Sequence, residues 1–159
     1  MADVPPLCLH LGDADATARL GAWFASRLRA GDCLLLEGQI GAGKSHFARA
    51  LIQARLGRIE DVPSPTFTLV QSYEADVEIW HADLYRLRHP DEVFELGLEE
   101  AFGTAICLIE WPDRLGRAQP EGAMRLRFTP EGTGRRVEIL PGDRADLVHE
   151  LRNDWTAHV

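Results

Sequence analysis

The 159-residue sequence predicts an α/β fold, a mixed β-sheet flanked by helices with antiparallel hairpins. Three observations carry this. Cys33-Leu34-Leu35-Leu36 and Ala105–Ile109 are unbroken apolar runs, the pattern of strands buried on both faces of a parallel sheet. Segments with apolar residues at helical spacing surround them. A glycine-rich turn joins the first of these strands to the next helix, and strand, loop, helix is a unit with chemical meaning. The length suits a single domain over residues 1–159, with enough chain to bury a core.

Leu7 to Leu11 reads as a first strand. Asp13 or Asp15 then caps a helix running to about Leu28, with Leu20, Phe24 and Leu28 on one face and Gly31 as its stop. After the Cys33 strand, Phe47, Leu51 and Ala54 mark a helix over Lys44 to Leu56, closed by Gly57. Asp61 to Pro65, with two prolines and a serine, is an ordered loop. Phe67 to Tyr73 and Val77 to Ala82 are strand-like and separated by Glu74-Ala75-Asp76, which predicts a hairpin. Pro90-Asp91-Glu92 opens one helix to Phe102. Arg125 to Thr129 and Arg135 to Leu140 flank a turn at Pro130–Gly134. A last helix runs from Asp143 to Trp155, with Leu147, Val148, Leu151 and Trp155 on one face.

Composition excludes several function classes. A net charge of -8 repels phosphate backbones, so tight binding of nucleic acid by this chain alone is not expected. No apolar run approaches the roughly 20 residues of a membrane span, and the N-terminus carries neither a basic start nor an apolar stretch, which predicts a cytoplasmic protein. Cys8, Cys33 and Cys107 are odd in number and far apart, unlike a disulfide framework or zinc site, and read as buried reduced thiols.

The chemistry concentrates in Gly38-Gln39-Ile40-Gly41-Ala42-Gly43-Lys44-Ser45, a Walker A pattern, with His46 next in the helix. Glycines at these spacings let backbone N–H groups turn inward around phosphate oxygens, and the following helix offers them its positive end. Lys44 reaches the β- and γ-phosphates, and the Ser45 hydroxyl suits Mg²⁺. Of 17 basic residues, Lys44 is the single lysine. A compact ammonium enters such a cradle where a planar guanidinium does not. The fold is therefore expected to be P-loop NTPase-like. The sole asparagine is Asn153, so no guanine-reading motif is visible and ATP is the expected nucleotide.

Three residues are candidates to act on the γ-phosphate. Glu110 ends the apolar strand Ala105–Ile109, a position from which a carboxylate orients water or helps hold Mg²⁺; Asp83, after the strand Val77–Ala82, is a hard oxygen ligand for Mg²⁺ or a cap for the next turn. Thr66 lies in a proline-stiffened loop where a hydroxyl senses γ-phosphate. The expected set is thus catalytic Lys44, Glu110, Asp83 and Thr66, with Ser45, Asp83 and Glu110 for the metal. His81 can donate to a phosphate or pack beside Trp80, and spacing alone favours packing; Tyr85, Arg86 and Trp111 read as surface or core.

Four runs in this order, Gly38 to Ser45, Pro63-Ser64-Pro65-Thr66-Phe67, His81-Ala82-Asp83-Leu84-Tyr85-Arg86-Leu87 and Ile109-Glu110-Trp111-Pro112, resemble the TsaE (YjeE) family, ATPases of bacterial tRNA threonylcarbamoyladenosine (t6A) biosynthesis. The likeness covers nearly the whole chain. It implies ATP and Mg²⁺ at the P-loop, Asp83 and Glu110 near the metal, Thr66 in a switch-like loop, and TsaB and TsaD as partners. In that family TsaD transfers the threonylcarbamoyl group to tRNA and the ATPase resets or regulates the complex, so tRNA is met only indirectly. Ser45 stands where the family often has Thr, and Ala82 where it has a bulkier residue. A small-molecule kinase using the same loop is the alternative reading, with Arg114 and Arg117 as its lid.

Overall fold

The computed structural model describes residues 5–39, 41–57, 62–63, 65, 69–89 and 91–156, with backbone alone at 93, 94 and 156. Its centre is one seven-stranded sheet made of β1 (Leu7–Leu11), β2 (Cys33–Glu37), β3 (Val70–Tyr73), β4 (Ile79–Asp83), β5 (Ile106–Glu110), β6 (Met124–Glu131) and β7 (Gly134–Leu140). Their spatial order is β1-β7-β6-β2-β5-β4-β3. The four central strands are parallel, with β2 paired to β5 and β6 and β5 paired to β4. Both flanks are antiparallel, β1 and β7 on one side and β3 on the other. This is the mixed α/β sheet the apolar runs predict.

Helices α1 (Ala14–Ala25), α2 (Lys44–Leu56) and α5 (Ala145–Thr156) cover one face. Alternate residues of the strands, Leu34 and Leu36 of β2, Leu126 and Phe128 of β6, Val137 and Ile139 of β7, meet Leu20, Phe24, Phe47, Leu51 and Leu151 there. Phe47 is its hub, with ring centroids 5.9 Å from Phe24 and 5.5 Å from Phe128. Burying each such ring contributes about 1.5–3 kcal/mol. The opposite face is covered over β2, β5 and β4 by α3 (Glu92–Leu96), α4 (Leu98–Thr104) and a 3₁₀ segment at Pro112–Ala118, through Leu84, Leu98, Ala101, Leu115, Cys107 and Ile109. On β1 the outward positions, Cys8 and His10, are exposed.

Several expectations need correction. α1 ends at Ala25 rather than Leu28 because Arg55 of α2 donates to the carbonyls of Ala25 and Leu28 at 2.7 and 2.8 Å, satisfying that terminus from outside. The single helix expected from Pro90 to Phe102 is two. Gly97 adopts φ 80 between α3 and α4, a conformation that side chains rarely take and that interrupts the helix. Cys8 is exposed, not buried, because it lies on the outward face of an edge strand; Cys33 and Cys107 are buried thiols as expected. The β6–β7 turn is shorter than expected, with the ladder continuing to Glu131↔Gly134. Asp83 is the last residue of its strand rather than the residue following it, whereas Glu110 ends its strand as expected. Asp61 and Ser64 of the predicted loop and the start of the strand from Phe67 lie outside the described residues. Among the described residues no helix is long and apolar enough to cross a membrane.

Candidate functional site

The parallel register sets the site. Leu36 of β2 and Asp83 of β4 both neighbour Glu110 of β5, so the carboxyl ends of three adjacent strands finish together. Because strand residues alternate faces, Glu110 follows Ile106 and Leu108 onto the side covered by α2. On that side β2 leads through Gly38 and Gly43 into the first turn of α2, which has no side-chain cap. The amides there are left to face the crevice at the end of the sheet, where open α/β folds place ligands. Gly38 has φ 144, and a Cβ there would lie 2.6 Å from the Phe128 carbonyl, so the turn admits only glycine.

Lys44 begins α2 and is 4% exposed. Its Nζ donates to the Gly38 carbonyl at 2.6 Å and sits 3.7 Å from the centroid of the Trp111 ring. Burial holds its pKa below the ordinary lysine value, while the charges of Glu110, Asp83 and Asp113 oppose that shift. An ammonium served by one carbonyl and one indole face is under-solvated, a site prepared for an anion. Trp111 itself takes φ 58, unusual for a non-glycine residue, and its ring lies 4.9 Å from that of Tyr85.

Glu110, 2% exposed, accepts from the Ser45 hydroxyl at 2.9 and 3.1 Å and from His81 Nε2 at 2.7 Å. Nδ1 of His81 is buried with no partner among the described residues. One carboxylate therefore joins α2 to β4, with a histidine fixing its orientation. Asp83 is 7% exposed, and its Oδ1 accepts the Tyr85 amide at 3.1 Å, so the alternative role of a cap is geometrically present at the edge of the same cleft.

That cleft, about 500 Å³, is lined by Gly41, Gly43, Lys44, Ser45, His46, Arg49, Asp83, Tyr85, Arg86, Glu110, Trp111 and Arg135. It gathers Gly41, Gly43, Lys44, Ser45, His46, Asp83 and Glu110 of the expected residues. Gly38, Gln39 and Ala42 lie in the adjoining turn, whereas Ile40 and Thr66 are outside the described residues. Arg114 and Arg117, the lid expected of a kinase, are not among the lining residues. Three participants are not evident from the sequence. His81, expected to pack beside Trp80, is instead the partner of Glu110; Trp111 covers Lys44; Arg135 reaches in from β7. The run from His81 to Arg86 is a signal for the first. Nothing local marks Arg135.

Among the described residues no three His, Cys, Asp or Glu side chains converge on a metal position. Ser45, Asp83 and Glu110 still provide the hard oxygens that suit Mg²⁺, which is commonly held by one or two carboxylates together with phosphate.

A family model described as threonylcarbamoyl adenosine biosynthesis protein TsaE matches residues 11–137. Among curated relatives, the tRNA threonylcarbamoyladenosine biosynthesis protein TsaE of Rickettsia felis is 42% identical over 106 residues, covering 66% of this chain. The chain spans 62% of that protein's length and 59% of the Rickettsia conorii one. The Bacillus subtilis protein of the same name is 36% identical over 142 residues, covering 87% of this chain and 86% of its own. A solved structure, titled as the crystal structure of Bacillus subtilus YdiB, aligns with a TM-score of 0.76 at 25% identity, over 97% of this chain and 99% of that one. With the glycine turn, the buried lysine and the strand-end carboxylates in place, these matches show that the chain belongs to the TsaE family.

Proposed function

We propose that this chain is a Mg²⁺-dependent ATPase of the t6A machinery, acting as a single P-loop domain whose nucleotide state governs docking on TsaB and TsaD. The observation that carries this reading is Lys44, a buried ammonium at the mouth of α2 whose partners are the Gly38 carbonyl and an indole face. A phosphate chain supplies what that site lacks.

In this reading Lys44 exchanges the Gly38 carbonyl for phosphate oxygens, and the first amides of α2 donate to the same group. Mg²⁺, held by Ser45 with Asp83 or Glu110, supplies neutralisation of charge on the phosphates. Ser45 then gives up its bond to Glu110, which frees one carboxylate oxygen to orient water and receive its proton, while His81 Nε2 holds the other. Thr66 is proposed as the switch residue that senses the γ-phosphate. Turnover by the isolated chain is slow because TsaB and TsaD complete the site, and tRNA is handled by those partners, in keeping with the net charge of -8. The proposed setting is the cytoplasm.

The decisive experiment is co-purification with TsaB and TsaD in ATP, ADP or no nucleotide, with ATP hydrolysis measured in the same samples. Nucleotide-dependent association with stimulated hydrolysis is expected. Association indifferent to nucleotide refutes the coupling, and association without any turnover makes the chain a nucleotide-dependent adaptor.

A further inference from the structure

Arg135 is 94 residues from Gly41 in sequence and touches it in space. Alternation along β7 sends Arg136 outward to Cys8 Sγ at 3.3 Å, while Arg135 and Val137 share the α2 side. The Arg135 guanidinium donates from Nη2 to the Gly41 carbonyl and from Nη1 to the Gly134 carbonyl, each at 2.9 Å. Its Nε is buried and meets no acceptor among the described residues. Cγ and Nε are the atoms nearest to where a Cβ of Gly43 would stand, both at 3.8 Å, so the side chain lies along the wall that Gly43 leaves open beside Lys44.

Two backbone carbonyls fix the guanidinium in one orientation, and that orientation leaves a buried N–H against Gly43, at the wall of the cleft that holds Lys44. A buried donor without an acceptor is costly, and a guanidinium satisfies its donors best against oxygens of phosphate or carboxylate. We propose that Arg135 is a phosphate-binding residue of this cleft, its Nε–H donating to the phosphate chain of the bound nucleotide while its Nη groups tie the β6–β7 hairpin to the glycine loop. This rests on the nucleotide reading above and adds to Lys44 a cation from β7, two strands away from β2 on the same face of the sheet.

The test is calorimetric titration of ATP, ADP and AMP into the wild type, R135M, R135K and K44M, with thermal melting of each protein without nucleotide. R135M keeps the stem over Gly43 and removes the donors. It is expected to melt a little below the wild type, through loss of the two carbonyl contacts, and to bind ATP and ADP about tenfold more weakly, with a smaller loss for AMP. R135K keeps the charge without the fork and is expected to recover part of the affinity. The proposal is overturned if R135M binds ATP and ADP like the wild type while K44M loses them; nucleotide binding then stands and Arg135 merely anchors the hairpin. Equal losses for all three nucleotides with a much lowered melting temperature overturn it too, as the mark of a general structural role. A wild type that binds none of them fails the nucleotide reading itself.

Discussion

Strands β2 and β5 have two buried ends that treat polarity in opposite ways. At their start, Cys33 and Cys107 are register partners. Burial pushes the Cys107 thiol up to about 12, and burial with Cys107 alongside raises Cys33 well above the ordinary value, so both stay neutral. At their finish, Leu36 stands beside Glu110, which is bonded to Ser45 and His81, with Lys44 close by. Both ends are buried; only one is supplied with partners. The first end keeps its groups uncharged and inert, and the second keeps polar groups alive by surrounding them with donors and acceptors from α2 and β4. Strand burial alone therefore does not mark the site. What marks it is the meeting of strand ends with a helix start.

The sharpest way to break that contrast is Lys44→Met. ATP affinity measured by calorimetry is expected to fall about 100-fold, and unchanged binding would remove the phosphate site from this end of the sheet. Next is Glu110→Gln, expected to slow partner-stimulated hydrolysis about 100-fold while leaving ATP affinity nearly unchanged. Parallel loss of affinity would mean that Glu110 holds ligand rather than proton. At the quiet end, Cys107→Ser places a hydroxyl where no partner was needed and is expected to cost about 1–3 kcal/mol in urea unfolding. In the same region a thiol reagent at pH 8 should modify Cys8 quickly and Cys33 and Cys107 only on unfolding, since the exposed thiol is accessible and the other two are buried and protonated.

The smallest effect concerns pH. Lys44 has its folded-state pKa lowered from 10.5, so between that lowered value and 10.5 the unfolded chain binds more protons and stability rises with pH. Lys44→Met is therefore expected to melt slightly higher than the wild type near pH 7. Melting curves across pH should show the gap closing toward pH 10.5.

The part of the fold most legible in the sequence is the stretch from Cys33 to Gly57. It is strand, glycine turn and helix in unbroken succession, and each part is governed by neighbours in sequence: apolar continuity, glycine backbone freedom, then periodicity. Its observed bounds are nearly those expected. The helix over 90–102 differs, because the apolar pattern continues through a position where Gly97 breaks the backbone. His81 is hard to read for another reason. Its identity allows packing or function, and only the register of β4 against β5 brings it to Glu110.

By itself, then, the sequence determined the α/β class, the glycine-rich turn between strand and helix and the unusual lysine at its end, since these depend on local spacing and residue chemistry. Tertiary structure decided which distant groups share that loop's cleft: Glu110 on Ser45 from 65 residues away, His81 behind Glu110, Trp111 over Lys44, and Arg135 on Gly41. Those contacts depend on strand order, register and which face each alternating side chain takes, and no local rule of the chain contains that information.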